Sequence, residues 1–160
     1  MAVKSLSKNS AIYCWEKLDI GSVAMRKVLL IATLLLALPG LAAEREVIRD
    51  ANGRRKATVM TNGTQTTYRD AKGRVSVTAR QQGTVTRYYD SNGRTLGRAS
   101  ENGRNTTYRD AKGRITGTAT VQGKQTIYRD SSGRRVGSSM QNGNMTIYRD
   151  SRGRITGTRK

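Results

Sequence analysis

The sequence contains no His and no Phe, and only one Cys, one Trp and one Pro. The single cysteine and tryptophan, Cys14 and Trp15, lie near the N-terminus, upstream of an apolar run. Transition-metal sites and most acid–base or nucleophilic sites are built from His and Cys. We therefore expect a protein that is not an enzyme and that needs no metal or cofactor.

Large apolar side chains are also scarce, because hydrophobic residues make up 35% of the chain and aromatic residues only 5%, nearly all of them Tyr. So few large apolar groups cannot fill a thick core. Acidic residues are few as well: eleven Asp and Glu face thirty Lys and Arg, which gives a net charge of +19. Such an excess favours anionic partners.

Residues 25–43 resemble a secretory signal peptide, with Arg26 and Lys27 ahead of an apolar run over residues 28–38. That run is shorter than the roughly 20 residues of a transmembrane helix. We expect cleavage after Ala42 or Ala43 and a periplasmic or secreted product, with an uncleaved membrane anchor as the alternative. No cysteine follows the run for lipid attachment or disulfides.

Residues 1–24 precede this segment and match neither the signal pattern nor the rest of the chain. Our hypothesis is that translation starts at Met25 and that residues 1–24 are a mis-assigned extension. The mature domain would then be residues 44–160, with 25 Lys and Arg against nine Asp and Glu, or +16.

A 20-residue repeat organises residues 44–160, without an insertion or deletion. Its unit is Tyr-Arg-Asp-x-x-Gly-Arg, then eight residues, then Gly-x-x-Thr-x. The repeated positions are Tyr68, Tyr88, Tyr108, Tyr128 and Tyr148; Asp50, Asp70, Asp90, Asp110, Asp130 and Asp150; and Gly53, Gly73, Gly93, Gly113, Gly133 and Gly153. Five units fit, with a partial unit at each end.

Each unit carries two turn signals. In Asp-x-x-Gly, the Asp accepts backbone hydrogen bonds and the Gly supplies a positive φ. The second signal, Asn-Gly or Gln-Gly, is typical of tight hairpins. The runs between turns are rich in Thr, Val, Ile and Tyr, which favours strands. The sequence therefore predicts an all-β fold of tandem 20-residue β-hairpins, an antiparallel meander of about eleven or twelve strands.

The thin core decides what shape we expect for this meander. A sandwich needs two apolar faces, and the sequence barely supplies one. We therefore expect a single-layer twisted sheet, a spiral or a solenoid. Its end strands would be exposed edges, and Arg152, Arg154, Arg159 and Lys160 would guard one of them.

Two strand registers are compatible with the turns. If Asn102-Gly103 and Lys112-Gly113 are both two-residue loops, Tyr108 lies opposite Gly97 on one side and Gly117 on the other. Each Tyr ring would then cover glycine backbone on both neighbouring strands.

In the second register, Asp-x-x-Gly forms a three-residue loop with a glycine bulge, and Asp110 faces Arg114. The Tyr face would then be lined by Leu96, Thr116, Val136 and Thr156. We favour the bulge, and which face of the sheet is buried stays open.

The Asp-x-x-Gly-Arg core of each unit resembles YD repeats of the Rhs type, over roughly residues 47–160. That resemblance implies strands wound into β-spirals or shells. In the family Tyr directly precedes Asp, as in Tyr89-Asp90, whereas Arg intervenes in the other units, as in Tyr148-Arg149-Asp150. The pattern is also similar to aromatic hairpin repeats of cell-wall-binding and toxin domains, although the Gly-Trp pair of those repeats is missing. Both resemblances bear on the fold more than on the function.

Arginine is the repeated residue that points to a function. One candidate anion-binding row follows the turn glycines and another follows the Tyr series; the rows are Arg74, Arg94, Arg114, Arg134 and Arg154, and Arg69, Arg109, Arg129 and Arg149. Rows of Arg suit repeated anionic groups. The plainer interpretation is a solvated basic surface in which turn Asp and Arg pair with each other.

We therefore expect an exported, non-catalytic repeat protein of the cell envelope that binds anionic surface polymers or lipids. Nucleic acid is disfavoured because the chain is expected to be exported. The alternatives are a structural protein that self-assembles through open sheet edges, and a protein–protein interaction module.

Overall fold

The computed structural model describes residues 44–160, so the predicted signal segment and N-terminal extension lie outside the described residues. The described part is all-β, with twelve antiparallel strands and no helix. The strands are β1 (Glu44–Asp50), β2 (Arg55–Asn62), β3 (Gln65–Asp70), β4 (Val75–Gln82), β5 (Val85–Asp90), β6 (Thr95–Asn102), β7 (Asn105–Asp110), β8 (Ile115–Gln122), β9 (Gln125–Asp130), β10 (Arg135–Asn142), β11 (Met145–Asp150) and β12 (Ile155–Arg159). The predicted meander of β-hairpins is confirmed.

The Asp-x-x-Gly turns are three-residue loops, as favoured. The N–H of Gly73 donates to the carbonyl of Asp70 at 3.0 Å, and the N–H of Asp70 donates to the carbonyl of Arg74 at 2.8 Å. Gly73 has φ +83°, a conformation that glycine adopts without a Cβ penalty. The same two hydrogen bonds recur in all six turns.

The other turns differ from the expected loop by one residue. Asn102 pairs with Asn105, so the two loop residues are Gly103 and Arg104 rather than Asn102 and Gly103. Gly103 has φ +58°, which suits the first central position of a type II′ turn. As a result, Tyr108 lies opposite Ala99, and the predicted Tyr108–Gly97 pair is wrong.

On its other side, Tyr108 does pair with Gly117, although the loop between them is the three-residue one. The register shifts between Tyr108 and Arg109, because β8 carries one extra residue, Thr116, in a bulge. This shift offsets the extra loop residue and returns glycine to the position opposite the ring. The predicted bulge is therefore present, but the residue opposite Tyr108 is Gly117 rather than its neighbour Thr116.

The Tyr series faces inwards and forms the core. Tyr68, Tyr88, Tyr108 and Tyr128 are at most 5% exposed, and small residues from the intervening strands fill the space between them. The core cluster is Val59, Tyr68, Val77, Ala79, Tyr88, Leu96, Ala99, Tyr108, Ala119 and Tyr128. Leu96 lies at a bulge and turns into this cluster, as does the buried Thr116 at the next bulge.

The sheet closes into a barrel, so the predicted open sheet, spiral or solenoid is wrong. Strand β1 pairs with β12 through Ile48↔Arg159, Arg49↔Thr158 and Asp50↔Gly157. The N–H of Val47 also donates to the carbonyl of Lys160 at 2.8 Å. We call this β1–β12 pairing the seam.

Closure compensates for the shortage of apolar residues, because a sheet that curls into a barrel needs only one apolar face for its core. It also pairs both end strands, so the C-terminal cations guard no open edge. Arg159 instead forms an ion pair with Glu46, and both side chains are mostly buried.

Two core tyrosines should respond differently to loss of the hydroxyl. The Tyr128 hydroxyl lies 2.7 Å from the Ser139 Oγ, whereas the buried Tyr88 hydroxyl has no hydrogen-bond partner within residues 44–160. We expect Tyr128→Phe to lower the free energy of unfolding by about 1–2 kcal/mol, and Tyr88→Phe to leave it unchanged or raise it by up to about 1 kcal/mol. Urea denaturation measures both, and an equal loss in the two variants would contradict the assignment.

Candidate anion-binding surfaces

Alternation of antiparallel strands brings all six Asp-x-x-Gly turns to one end of the barrel. Together with the residue before each Asp and the two residues after each Gly, these turns contain sixteen Lys and Arg and six Asp, a net charge of +10. They hold most of the +16 carried by residues 44–160. We call this end the basic rim; it comprises residues 49–55, 69–75, 89–95, 109–115, 129–135 and 149–155.

Aspartate organises each turn of the basic rim. One Asp70 carboxylate oxygen, Oδ1, accepts backbone hydrogen bonds from Lys72 at 2.9 Å and Arg74 at 3.0 Å. The other oxygen, Oδ2, pairs with the Arg74 guanidinium at 2.8 Å. The backbone hydrogen bond from Arg74 is the largest influence, and it lowers the pKa of Asp70. The Asp residues are therefore committed to the turns.

The first arginine row lies on this rim. Four of its five members pair through the guanidinium with the Asp of their own turn. These contacts link Arg74 to Asp70, Arg114 to Asp110, Arg134 to Asp130 and Arg154 to Asp150 at 2.7–3.1 Å. Burial raises the pKa of Asp110, but the hydrogen bonds and charge of Arg114 outweigh it, so the pKa is lowered. The four Arg side chains remain 71–80% exposed. They can therefore meet a ligand while still paired.

The second arginine row also belongs to the basic rim, but its members serve the turns. Their Nη1 atoms donate to the carbonyl of the turn glycine, at 3.1 Å from Arg69 to Gly73 and 2.9 Å from Arg109 to Gly113. Arg129 and Arg149 repeat the contact with Gly133 and Gly153. This row lies on the outer face, opposite to the inward Tyr series, and part of each guanidinium stabilises the loop.

A third set of arginines does not occupy repeated positions, so the repeat gave no indication of it. Strand pairing places Arg80 opposite Arg87, Arg87 opposite Arg98, and Arg98 opposite Arg109. We call these four residues the wall row, because they cross the outer face of β4 to β7. Arg80, Arg87 and Arg98 are departures from the repeat. These departures are the feature of the sequence from which the set could have been identified.

Lys56 takes no part in these surfaces. Its ammonium is buried and has no hydrogen-bond partner within residues 44–160. Burial lowers the pKa of Lys56, and the charge of Asp50 only partly offsets this effect. Lys56 is therefore an internal charge rather than a ligand contact of the basic rim.

Residues 44–160 contain no cluster of three or more His, Cys, Asp or Glu side chains with the placement of a metal site. Over the same range, no helix has the length and apolarity needed to cross a membrane. No protein-family model matches the sequence, and no curated protein matches it significantly. Any statement about function therefore depends on the surfaces described above.

Proposed function

We propose that the protein is an exported, non-catalytic binding module of the cell envelope, and that its basic rim engages anionic surface polymers or lipid headgroups. The observation that carries the proposal is the concentration of charge at one end of the barrel, +10 within six equivalent turns. A surface on which several cations are clustered attracts polyanions, and binding releases the counterions of the polyanion.

The turns also support the proposal by their rigidity. Each Asp fixes its loop through backbone hydrogen bonds, and in four of the six turns the same carboxylate also holds the neighbouring Arg side chain, as in the Asp150–Arg154 pair. The cations of the rim are therefore preorganised, which reduces the conformational entropy that binding must remove. Their remaining N–H groups face solvent and suit bidentate contacts with phosphate or carboxylate groups.

The alternative, a self-assembling structural protein, depended on open sheet edges. Closure of the barrel pairs β1 with β12, so both end strands are occupied. The observed geometry thus favours binding through the basic rim over edge-to-edge assembly.

The test is retention of the purified protein on vesicles that contain phosphatidylglycerol, compared with neutral phosphatidylcholine vesicles, at low and high salt. We expect strong retention on the anionic vesicles that is lost at high salt. The triple variant Arg114→Gln, Arg134→Gln and Arg154→Gln should reduce retention about tenfold or more.

A matched control removes charge at the opposite end, through Arg104→Gln and Lys124→Gln together with Arg45→Gln. These three residues are exposed and lie outside the basic rim. Equal losses in both triple variants would show that only net charge matters. Absence of retention on the anionic vesicles would refute lipid binding by the rim.

A further inference from the structure

The wall row is a line of like charges built by the fold. Four arginines on four consecutive strands face each other across three cross-strand pairs, so the line spans about 14 Å at the usual strand spacing of roughly 4.8 Å. Arg80, Arg87 and Arg98 are exposed, and Arg109 is half-buried. Like charges in direct cross-strand pairs are destabilising. The row therefore opposes folding rather than supporting it.

The sequence departs from its own repeat to make this line. At the positions equivalent to Arg87 and Arg98, the other units carry only uncharged residues, namely Thr, Ser or Ile, with Val47 in the N-terminal partial unit. At the position of Arg80, they carry Met, Ser, Thr or the C-terminal Lys160. The three departures occupy different places in the repeat, and only strand pairing brings them side by side.

Within residues 44–160, no carboxylate of the outer face neutralises the row. All nine Asp and Glu residues of the described range lie at inward register positions or in turns. Arg87 donates from Nη1 to the Gln82 side-chain oxygen at 3.0 Å, which is a neutral partner. The row thus keeps its full charge on a surface without counter-charges.

A fourth departure lies beside the row. Tyr89 occupies the place held by Arg in the neighbouring units, and the Arg80 guanidinium lies over its ring, 5.6 Å from the centroid. The contact orients Arg80 on a rigid, half-buried ring. At the other end, Arg109 reaches the turn of Gly113, so the wall row continues into the basic rim.

We propose that the wall row and Tyr89 form a binding site for a linear anionic polysaccharide. A chain laid across β4 to β7 meets one guanidinium per strand, and each guanidinium offers paired N–H donors to a carboxylate or sulfate. The Tyr89 ring edge supplies an apolar contact for a sugar ring. The inference rests on the proposed binding function and gives it a ligand class and a second site.

Two other occupants fit the geometry less well. Proteins that bind single-stranded nucleic acid stack successive bases on several aromatic rings. In the described part of the chain one ring, that of Tyr89, lies beside the row, and Arg80 already lies over it. A lipid surface is flat over the length of the row, whereas the row follows the curved wall of a barrel.

The experiment measures binding of a heparin-derived sulfated dodecasaccharide, with neutral dextran and an oligothymidylate as comparison ligands. The wall variant restores residues found in the other units: Arg80→Ser, Arg87→Thr and Arg98→Thr. We expect it to bind the sulfated oligosaccharide about 30-fold more weakly, while its resistance to urea increases because the like-charge pairs are gone. The Arg45, Arg104 and Lys124 control variant should change binding less than threefold, although it loses the same charge.

The Tyr89→Arg variant distinguishes binding at a specific site from nonspecific electrostatic attraction. It adds a positive charge next to the row and restores the residue of the other units, so attraction by charge alone would strengthen binding. We expect weaker binding, because the ring and its hold on Arg80 are lost.

Each contrary result has a defined meaning. Equal losses in the wall and control variants, stronger binding by Tyr89→Arg, or tighter binding of oligothymidylate would each overturn the polysaccharide site. If only the rim variant loses the oligosaccharide, the wall proposal fails and the proposed rim function stands. If the wild-type protein does not bind the oligosaccharide, the wall proposal also fails. Retention on anionic vesicles then still tests the proposed function of the rim separately.

Discussion

Replacing Glu46 by Ala is expected to lower the free energy of unfolding by about 3 kcal/mol and to make the protein associate. Glu46 accepts a hydrogen bond from the Arg159 guanidinium beside the seam, and the two side chains are only 16% and 18% exposed. Burial lowers the pKa of Arg159, but Tyr148 and Glu46 together raise it. Without Glu46, this guanidinium would be left mostly buried without its counter-ion, which is strongly destabilising.

Association is expected because the seam joins the two strands that would otherwise be edges. If β1 separates from β12, both present unpaired N–H and C=O groups to other molecules. Urea denaturation and light scattering measure the two effects. The double variant Glu46→Leu, Arg159→Met should recover most of the stability, since it removes both charges at once. A monomeric Glu46→Ala protein of unchanged stability would show that the ion pair does not hold the seam.

The second large effect is expected from Gly117→Ala in β8. A Cβ built at Gly117 lies 2.5 Å from the carbonyl oxygen of Arg129 on the neighbouring strand. That oxygen is part of the sheet backbone and cannot rotate away, so the strands must separate locally. We expect a loss of about 3 kcal/mol, at the upper end of what overpacking usually costs.

Thr118→Ala is the matched control for Gly117→Ala, since it changes the next residue, which faces outwards, and should cost less than about 1 kcal/mol. Val77 holds the position of Gly117 in β4, so the repeat accepts a Cβ there where the surrounding strands accommodate it. If Gly117→Ala were as stable as the wild-type protein, the β8–β9 pair would share that adaptability.

The hairpins could be predicted because their causes are local. Asp70 and Gly73 fix a turn within five residues, and the alternation around Tyr68 fixes an inward face. The closed barrel could not be predicted in this way. It depends on the pairing of Ile48 with Arg159, which no short-range pattern reports.

The register shows a similar limit. Glycine opposite Tyr108 results from two compensating irregularities, the three-residue loop and the bulge at Thr116, and each considered alone leads to a different partner. The candidate surfaces could likewise be predicted only in part from the sequence. Repetition identified Arg114 and its equivalents, whereas Arg87 and Arg98 become neighbours only through the strand pairing. The YD-repeat resemblance and the export of the chain stay predictions.

The seam has a consequence for the architecture as a whole. Its register, Lys160 beside Val47 and Arg159 opposite Ile48, is the one that Met140 and Ser139 adopt with Ile147 and Tyr148 in the β10–β11 hairpin. Strands β1 and β12 thus behave as a sixth hairpin that lacks only its Gln-Asn-Gly turn, and the barrel has approximate six-fold rotational symmetry. In such a ring, joining Lys160 to Glu44 through three residues and opening any other Asn-Gly turn would produce a circular permutant with the same pairings. The wall row, by contrast, occupies only one sector of the ring and gives an otherwise uniform cylinder a distinct side.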